Sequence, residues 1–335
     1  MRMLFEWIIK ELDPRPCSSA EMLYDGMESQ SGYCLPIIYQ PFDISKRWHW
    51  QDRGLIIDYA ESLQGGGKRI LDFGPGDGWP SLPLSAFAGS VTGVDSSAKR
   101  VQVCAENGKR MGAANAEFIH VPSGQPLPFA DNSFDGISAA SSIEQTPDPQ
   151  AAIAELYRVL KPGGALRMQY EALGQYRGKN ERELWLDETS DNVCRMIFYD
   201  RIVSEERAVM YGLYLDIPSM TVIQTLKPGG DELSFDDVSI DGLKAIKEHV
   251  VDAKLCSLQH PSGKTYLAWL RQAGFSDVKG TCNGGAFTKK LFDQIPVAGR
   301  PKCLEELDIM LRPLIKKEVT REAAIESDPA ITAVK

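Results

Sequence analysis

Ile70-Leu-Asp-Phe-Gly-Pro-Gly-Asp-Gly78 is the stretch that decides the fold. Arg69 to Phe73 reads as a short buried strand. Gly74, Gly76 and Gly78 then let the backbone turn sharply and approach a ligand with no Cβ in the way. A helix expected to begin near Trp79 points its first amides and its positive dipole end at whatever sits there. A second strand, Ser90-Val-Thr-Gly-Val-Asp95, ends in a carboxylate twenty-one residues after Gly74. At that spacing a carboxylate accepts hydrogen bonds from ribose hydroxyls. Together they imply a nucleoside-containing cofactor, against the competing reading of a tight glycine turn with no ligand. A dinucleotide fingerprint would place a third glycine where this chain has Trp79. Asp77 would also repel a pyrophosphate, whereas a cofactor with a cationic end would be tolerated.

Outward from this segment, apolar runs at 116–121, 134–140 and 165–170 alternate with helical stretches at 98–111 and 151–160. That rhythm is the signature of a parallel sheet covered on both faces. Four blocks are expected. Residues 1–67 form an N-terminal helical and aromatic cap. They carry one helix around Leu4, Ile8 and Leu12, an aromatic stretch from Tyr33 through Tyr39 and Phe42 to Trp50, and a second helix from Leu55 to Leu63. Residues 68–170 are the cofactor-binding core. Residues 171–264 are an inserted antiparallel cap, with a hairpin from Met196–Val203 and Ala208–Ile217, a further strand at Met220–Leu226, and a helix from Ile240 to Ala253. Residues 265–335 complete the core sheet, with a helix at Leu304–Ala324 and a last strand at 330–334. The hairpin's apolar alternation and exposed edge make homodimerisation through 193–226 a hypothesis.

Composition narrows the class of protein. The 335 residues carry 37 Lys+Arg against 46 Asp+Glu, a net charge of −9. That acidic balance argues against a nucleic-acid partner. The seven cysteines include no CxxC pair, so no metal site and a reducing, cytoplasmic setting are expected. No uncharged apolar run approaches the ~20 residues of a membrane span.

Four segments in order resemble the class I S-adenosylmethionine-dependent methyltransferases, most nearly the small-molecule enzymes of quinone biosynthesis. They are ILDFGPGDG at 70–78, VTGVDSS at 91–97, the run LPFADNSFDGISAASSIEQTPDPQAAIAELYRVLKPGG at 127–164, and YLAWLRQAGFSDVKGT at 266–281. The resemblance implies a Rossmann-like, doubly wound, mostly parallel sheet. It also implies S-adenosyl-L-methionine as cofactor and methyl transfer by in-line displacement to a small molecule. Carried over by position, Asp72, Gly74, Pro75, Gly76, Asp77 and Gly78 would surround the methionine part, and Asp95 would hold the ribose. Ser96 would lie beside the adenine or cap the next helix. Where relatives place an aspartate that accepts from the adenine amino group, this chain has Ser123, followed by Gly124.

Catalytic and acceptor candidates are fewer. Relatives often carry a histidine after Glu144, where this chain has Gln145, which leaves Glu144 as a basic or positioning group near the sulfonium. A solvated helix-start carboxylate is the alternative. His49, between Trp48 and Trp50, is the second candidate base, with the tryptophan faces offered to a cation or methyl. Alternatively the tryptophans are packing residues and His49 faces water. Tyr170 and Glu171 end the fifth strand, where open α/β sheets place ligands. Two rival functions remain: a non-catalytic protein that binds S-adenosylmethionine as a sensor or interaction module, and a nicotinamide-dependent oxidoreductase.

Overall fold

A computed structural model describes residues 2–27, 41–171, 181–189, 193–327 and 329–335. The aromatic residues expected at Tyr33 and Tyr39, and Cys34, lie outside them. Among the described residues the strands are β1 (Arg15–Pro16), β2 (Arg69–Phe73), β3 (Ser90–Asp95), β4 (Ala116–His120), β5 (Phe134–Ala140) and β6 (Leu160–Gln169). They continue with β7 (Glu181–Glu188), β8 (Cys194–Ile202), β9 (Arg207–Leu215), β10 (Val250–Gln259), β11 (Ser276–Thr281) and β12 (Ala330–Val334). The α-helices are α1 (Arg2–Leu12), α2 (Arg47–Ser62), α3 (Ser81–Ser85), α4 (Ala98–Met111) and α5 (Pro149–Val159). After them come α6 (Ser219–Leu226), α7 (Ile240–Ile246), α8 (Gly263–Ala273), α9 (Gly284–Gln294) and α10 (Leu304–Glu318).

These elements divide into two units, Met1–Cys34 with Gln175–His260, and Leu35–Gly174 with Pro261–Lys335. The larger unit holds a seven-stranded sheet in the order β11-β12-β6-β5-β2-β3-β4. The pairs from β4 to β6 are parallel, and β12 runs antiparallel to both of its neighbours. Successive residues of β2 serve opposite faces, as the pleat demands. Ile70 packs with Tyr59 and Ala60 of α2 and with Leu63 at its C-cap, while Leu71 joins the cluster of Ile153, Leu156, Tyr266 and Leu270 from α5 and α8. Helices on both faces explain why the strands read as continuous apolar runs. β2 lies between β3 and β5, so the chain reverses its direction of winding there, and the crevice outside the strand ends at that point is where such sheets take ligands.

In the same unit, the Asp58 carboxylate of α2 meets the Arg167 guanidinium of β6 through two 2.7 Å hydrogen bonds, and both side chains are fully buried. Arg167 also donates to the Thr281 and Thr332 hydroxyls and to the Cys282 carbonyl, and Asp58 accepts from the Gly284 amide at 2.7 Å. One ion pair thereby ties α2 to β6, β11, β12 and the start of α9.

The smaller unit is a five-stranded sheet in the order β1-β10-β9-β8-β7. The expected hairpin is present as β8 and β9, turning at Glu206. Both strands are interior, flanked by β10 and β7, so the hairpin has no free edge for another subunit, contrary to the expectation behind the 193–226 dimer. Its two faces are covered inside the unit: Leu4, Phe5 and Ile8 of α1 with Val222 and Leu243 on one side, Met22 on the other. Residues 220–226 are helical rather than a strand. Val222, Ile223 and Leu226 recur at helical spacing, and the apolar face they make is buried on the sheet. The helix expected to run to Ala253 stops at Ile246, and the β-branched Val250 and Val251 open β10, which pairs with β9.

Other differences concern boundaries. The second N-terminal helix begins at Arg47, not Leu55, and so takes in Trp48, His49 and Trp50. The four expected blocks also group differently, because residues 1–34 belong with 175–260 and residues 35–67 with the core. No helix among the described residues is long and apolar enough to cross a membrane.

Candidate cofactor-binding site

Each glycine of the loop after β2 has its own reason to be glycine. Gly74, Gly76 and Gly78 all have positive φ, at 77°, 55° and 111°, which side chains resist. A Cβ on Gly74 would come within 2.4 Å of the Ser142 Cβ, so the back of the loop is packed against the segment after β5. A Cβ on Gly76 would meet nothing within 4 Å. The loop is therefore tight behind and open in front, as a cradle for a ligand requires. From below, α4 braces it, with Cys104 Sγ donating to the Gly76 carbonyl and Asn107 Nδ2 to the Asp77 carbonyl.

Asp95 closes the cradle. Its Oδ2 accepts the Gly76 amide at 3.1 Å and its Oδ1 the Ser97 amide at 2.8 Å. A carboxylate has about four acceptor positions, the kind of group that ribose hydroxyls donate to. Pro75 is buried beneath the loop and against Gly93 of β3. The α4 cap is Ser97, whose Oγ accepts the Arg100 amide, and not Ser96. Ser96 is half-buried, and its carbonyl is bonded to His120 Nε2 at 3.2 Å. Ser123 is half-buried beside Gly124, which has φ +78° with open space around it.

Two carboxylates behave otherwise than expected. Asp72 is fully buried, accepting from the Ser81 amide and hydroxyl and from the Ser138 hydroxyl. It anchors the loop from behind, at the join of β2, α3 and β5, rather than facing a ligand. Burial, opposed by those hydrogen bonds, pushes its carboxyl up to about 7. Asp77 forms an ion pair with the buried Arg100 of α4, so its charge is neutralised. The argument that Asp77 would repel a pyrophosphate therefore does not hold. Only the context of an Arg three residues into a capped helix hinted at that partner.

Glu144 sits in a short turn, Ile143–Gln145, three residues beyond β5. It is not a solvated helix-start carboxylate but is almost completely buried. Its Oε1 accepts the Glu171 amide at 2.9 Å, and its Oε2 accepts the Tyr266 hydroxyl at 3.1 Å. Burial outweighs those bonds and raises its carboxyl to about 7. Tyr170 packs its ring 5.4 Å from that of Tyr266 and presses its hydroxyl end against Gly263. The strand ends thus bring Glu144, Tyr170, Glu171 and Tyr266 together. Tyr266 was missed because a helix-face tyrosine carries no signal of its own in the sequence.

The Trp48-His49-Trp50 group does not join this cluster. Trp50 is a core residue that donates to the Ile44 carbonyl and packs edge-on to Phe292. Trp48 is exposed. His49 is buried, accepts the Asp43 amide at Nδ1, and contacts the rings of Phe42 and Trp48. Among the described residues no hydrogen bond or ring contact joins it to the glycine loop or to Glu144. No group of three or more His, Cys, Asp or Glu side chains that could hold a metal ion occurs among them either.

A glycine cradle at the reversal point of a seven-stranded sheet, closed by a strand-end carboxylate, defines a Rossmann-like domain for a nucleoside cofactor. Residues 71–168 match the family model described as a methyltransferase domain. The chain is similar to the demethylmenaquinone methyltransferase of Renibacterium salmoninarum, 34% identical over 122 residues, which are 36% of this chain and 46% of that one. It is also similar to the ubiquinone/menaquinone biosynthesis C-methyltransferase of Geotalea daltonii, 36% identical over 99 residues, which are 29% of this chain and 42% of that one. The chain spans less than half the length of these relatives. Among solved structures it is similar to the CcbJ methyltransferase from Streptomyces caelestis, 13% identical with a TM-score of 0.47, over 84% of this chain and 96% of that one.

Proposed function

We propose that the chain is an S-adenosylmethionine-dependent methyltransferase acting on a small-molecule acceptor. The observation that carries this is the open front of Gly76 beside the Asp95 carboxylate, inside a segment that matches a methyltransferase domain. When bound, the cofactor supplies a methyl group on a cationic sulfur, already a strong leaving group. The protein's task is then chiefly to hold two reactants in line. Asp95 fixes the sugar, the loop from Gly74 to Gly78 receives the remainder, and Asp72 keeps that loop in place through Ser81 and Ser138.

Glu144 has the chemistry of a proton acceptor. With a carboxyl near 7 it is substantially ionised at neutral pH, yet basic enough to take a proton from an acceptor hydroxyl. The Glu171 amide and Tyr266 hydroxyl hold its two oxygens, and its burial excludes bulk water from the proton's path. Tyr170 and Glu171 are the acceptor contacts proposed beside it. A hydroxylated aromatic ring of the quinol type is the first acceptor class to test, since the similar curated proteins are named for quinone methylation.

The test is transfer of labelled methyl from S-adenosylmethionine to a panel of quinols, phenols, amines and thiols, with calorimetry of S-adenosylhomocysteine binding alongside. Saturable binding and a labelled product are expected. Failure of S-adenosylhomocysteine to bind would sink the proposal.

A further inference from the structure

In the smaller unit, the two residues of β1 pair in parallel with β10, Arg15 opposite Lys254 and Pro16 opposite Leu255. The Cys17 amide then donates to the Leu255 carbonyl at 3.0 Å, the bond a parallel ladder makes when residue 17 stands opposite residue 256. Residue 256 is also a cysteine. In-register neighbours on adjacent strands share a face, and such strands lie about 4.8 Å apart. A disulfide needs Cα atoms about 4.4–6.8 Å apart, so the pair is within its reach. Cys17 packs against the cluster that holds Met22, Met210 and Cys256, and the Cys256 thiol donates a hydrogen bond to the Cys17 sulfur.

The two thiols are unequal. Cys17 is half-buried, whereas Cys256 is closed off from solvent. The hydrogen bond from Cys256, helped by the charges of Lys254 and Arg15, lowers the Cys17 thiol against the opposing effects of burial and Glu21. Lys254 and Arg15 are both also paired with Glu21 and Asp252. The same hydrogen bond, together with burial, holds the Cys256 proton in place. Cys104 and Cys194 differ. Burial raises both thiols, to about 12 for Cys194. Cys104 donates to the Gly76 carbonyl, and Cys194 stands in register with Glu188 and Leu215. A reachable thiol of lowered pKa beside a second thiol is the arrangement in which oxidation runs on to a disulfide.

We propose that Cys17 and Cys256 form a peroxide-reactive dithiol, in which Cys17 attacks the peroxide and Cys256 resolves the product. The Cys17 thiolate bonds to one oxygen of hydrogen peroxide, the O–O bond breaks, and the departing hydroxide leaves as water with the proton Cys17 gave up. The Cys256 sulfur then attacks the Cys17 sulfenic acid, the S–O bond breaks, and the released hydroxide takes the Cys256 proton as a second water. Two thiols are oxidised by two electrons and one peroxide is reduced. The product bond fastens the short edge strand β1 to β10, and nothing in this chemistry rests on methyl transfer.

The test treats the folded full chain with equimolar hydrogen peroxide, blocks free thiols with iodoacetamide and maps linked peptides by mass spectrometry. Loss of two thiols, a Cys17–Cys256 bridge and its reversal by dithiothreitol are expected. Cys256→Ala should leave Cys17 as a sulfenic acid captured by dimedone. Cys17→Ser should slow oxidation of Cys256 about tenfold or more, because the remaining thiol is buried and protonated. No bridge in the folded protein, a bridge from either residue to another cysteine, or unslowed oxidation of Cys256 in Cys17→Ser would each overturn the assignment. The mapping uses the unaltered protein, so it decides the matter even if a variant folds poorly.

Discussion

Asp58 and Glu144 are both carboxylates shut away from water in the same unit, and their surroundings differ in one respect. Asp58 faces a guanidinium and is held by Arg167 through two 2.7 Å bonds, with the Gly284 amide and Ser62 hydroxyl taking further lone pairs. Glu144 receives backbone amides, from Glu171 and its own residue, and the Tyr266 phenol, with no cation against it among the described residues. A paired charge inside a protein is structure, since removing either partner strands the other. A buried carboxyl with no cation is drawn toward neutrality, and its proton becomes exchangeable near neutral pH. The first arrangement holds the sheet together; the second leaves at the strand ends a carboxyl raised to about 7 by burial.

The largest effect should come from breaking the paired carboxylate. Asp58→Ala leaves Arg167 buried without a counter-charge and is expected to cost about 3–5 kcal/mol of stability, read by urea denaturation. Replacing both partners, as Asp58→Leu with Arg167→Met, should cost less than the sum of the single changes, because no charge is then left alone. A loss below about 1 kcal/mol for Asp58→Ala, the range of a surface pair, would erase the contrast.

Glu144→Gln tests the other half. The folded protein holds this proton more tightly than the unfolded chain does, with a carboxyl raised to about 7 against the ordinary 4.5 of a free glutamate. Stability from this residue is therefore complete below about 4.5 and is lost as pH rises toward and through 7. Glu144→Gln should remove up to roughly 3 kcal/mol of that loss, so the variant gains on the parent between pH 5 and 8. Methyl transfer should move the opposite way, falling on the order of 100-fold at pH 7 and losing its rise with pH. A parallel pH dependence of stability in both proteins would mean that Glu144 titrates like a surface carboxylate.

Legibility in the sequence divides along the same line. The cradle could be read because backbone constraints leave a local trace: three glycines at positive φ after an apolar strand, and an acidic residue at a fixed distance. The parallel sheet could be read because both its faces are covered, so each strand is an apolar run. The partners of buried charges could not. Arg167 lies 109 positions from Asp58, Tyr266 lies 122 from Glu144, and no periodicity links them. Asp77 was misjudged for that reason, since Arg100 comes to it from α4. Residues 220–226 were misread because a short β-branched, apolar stretch satisfies both strand and helix patterns until its packing partner is known.

Within the cradle the contrast can be sharpened by smaller changes at groups that meet solvent or ligand. Asp95→Ala should weaken S-adenosylhomocysteine by about 1–3 kcal/mol, the range for hydrogen bonds to a charged group, with the fold retained because α4 keeps its Ser97 cap. Unchanged affinity would remove Asp95 from the sugar. The smallest effect is expected at Ser123, where the resemblance to the methyltransferases implies a neutral acceptor for the adenine amino group in place of a carboxylate. Ser123→Asp replaces a neutral acceptor with a charged one in a half-buried turn, next to a Gly124 that already has the backbone conformation the turn needs. A charged acceptor is worth about 1 kcal/mol more than a neutral one, so S-adenosylhomocysteine should bind about fivefold tighter in calorimetry. Unlike Glu144, this carboxylate would be open to water and keep its charge at pH 6, so the gain should be constant from pH 6 to 8. A gain that grows across that range would mean that the turn closes over the side chain, and that position 123 belongs with the buried, titrating group.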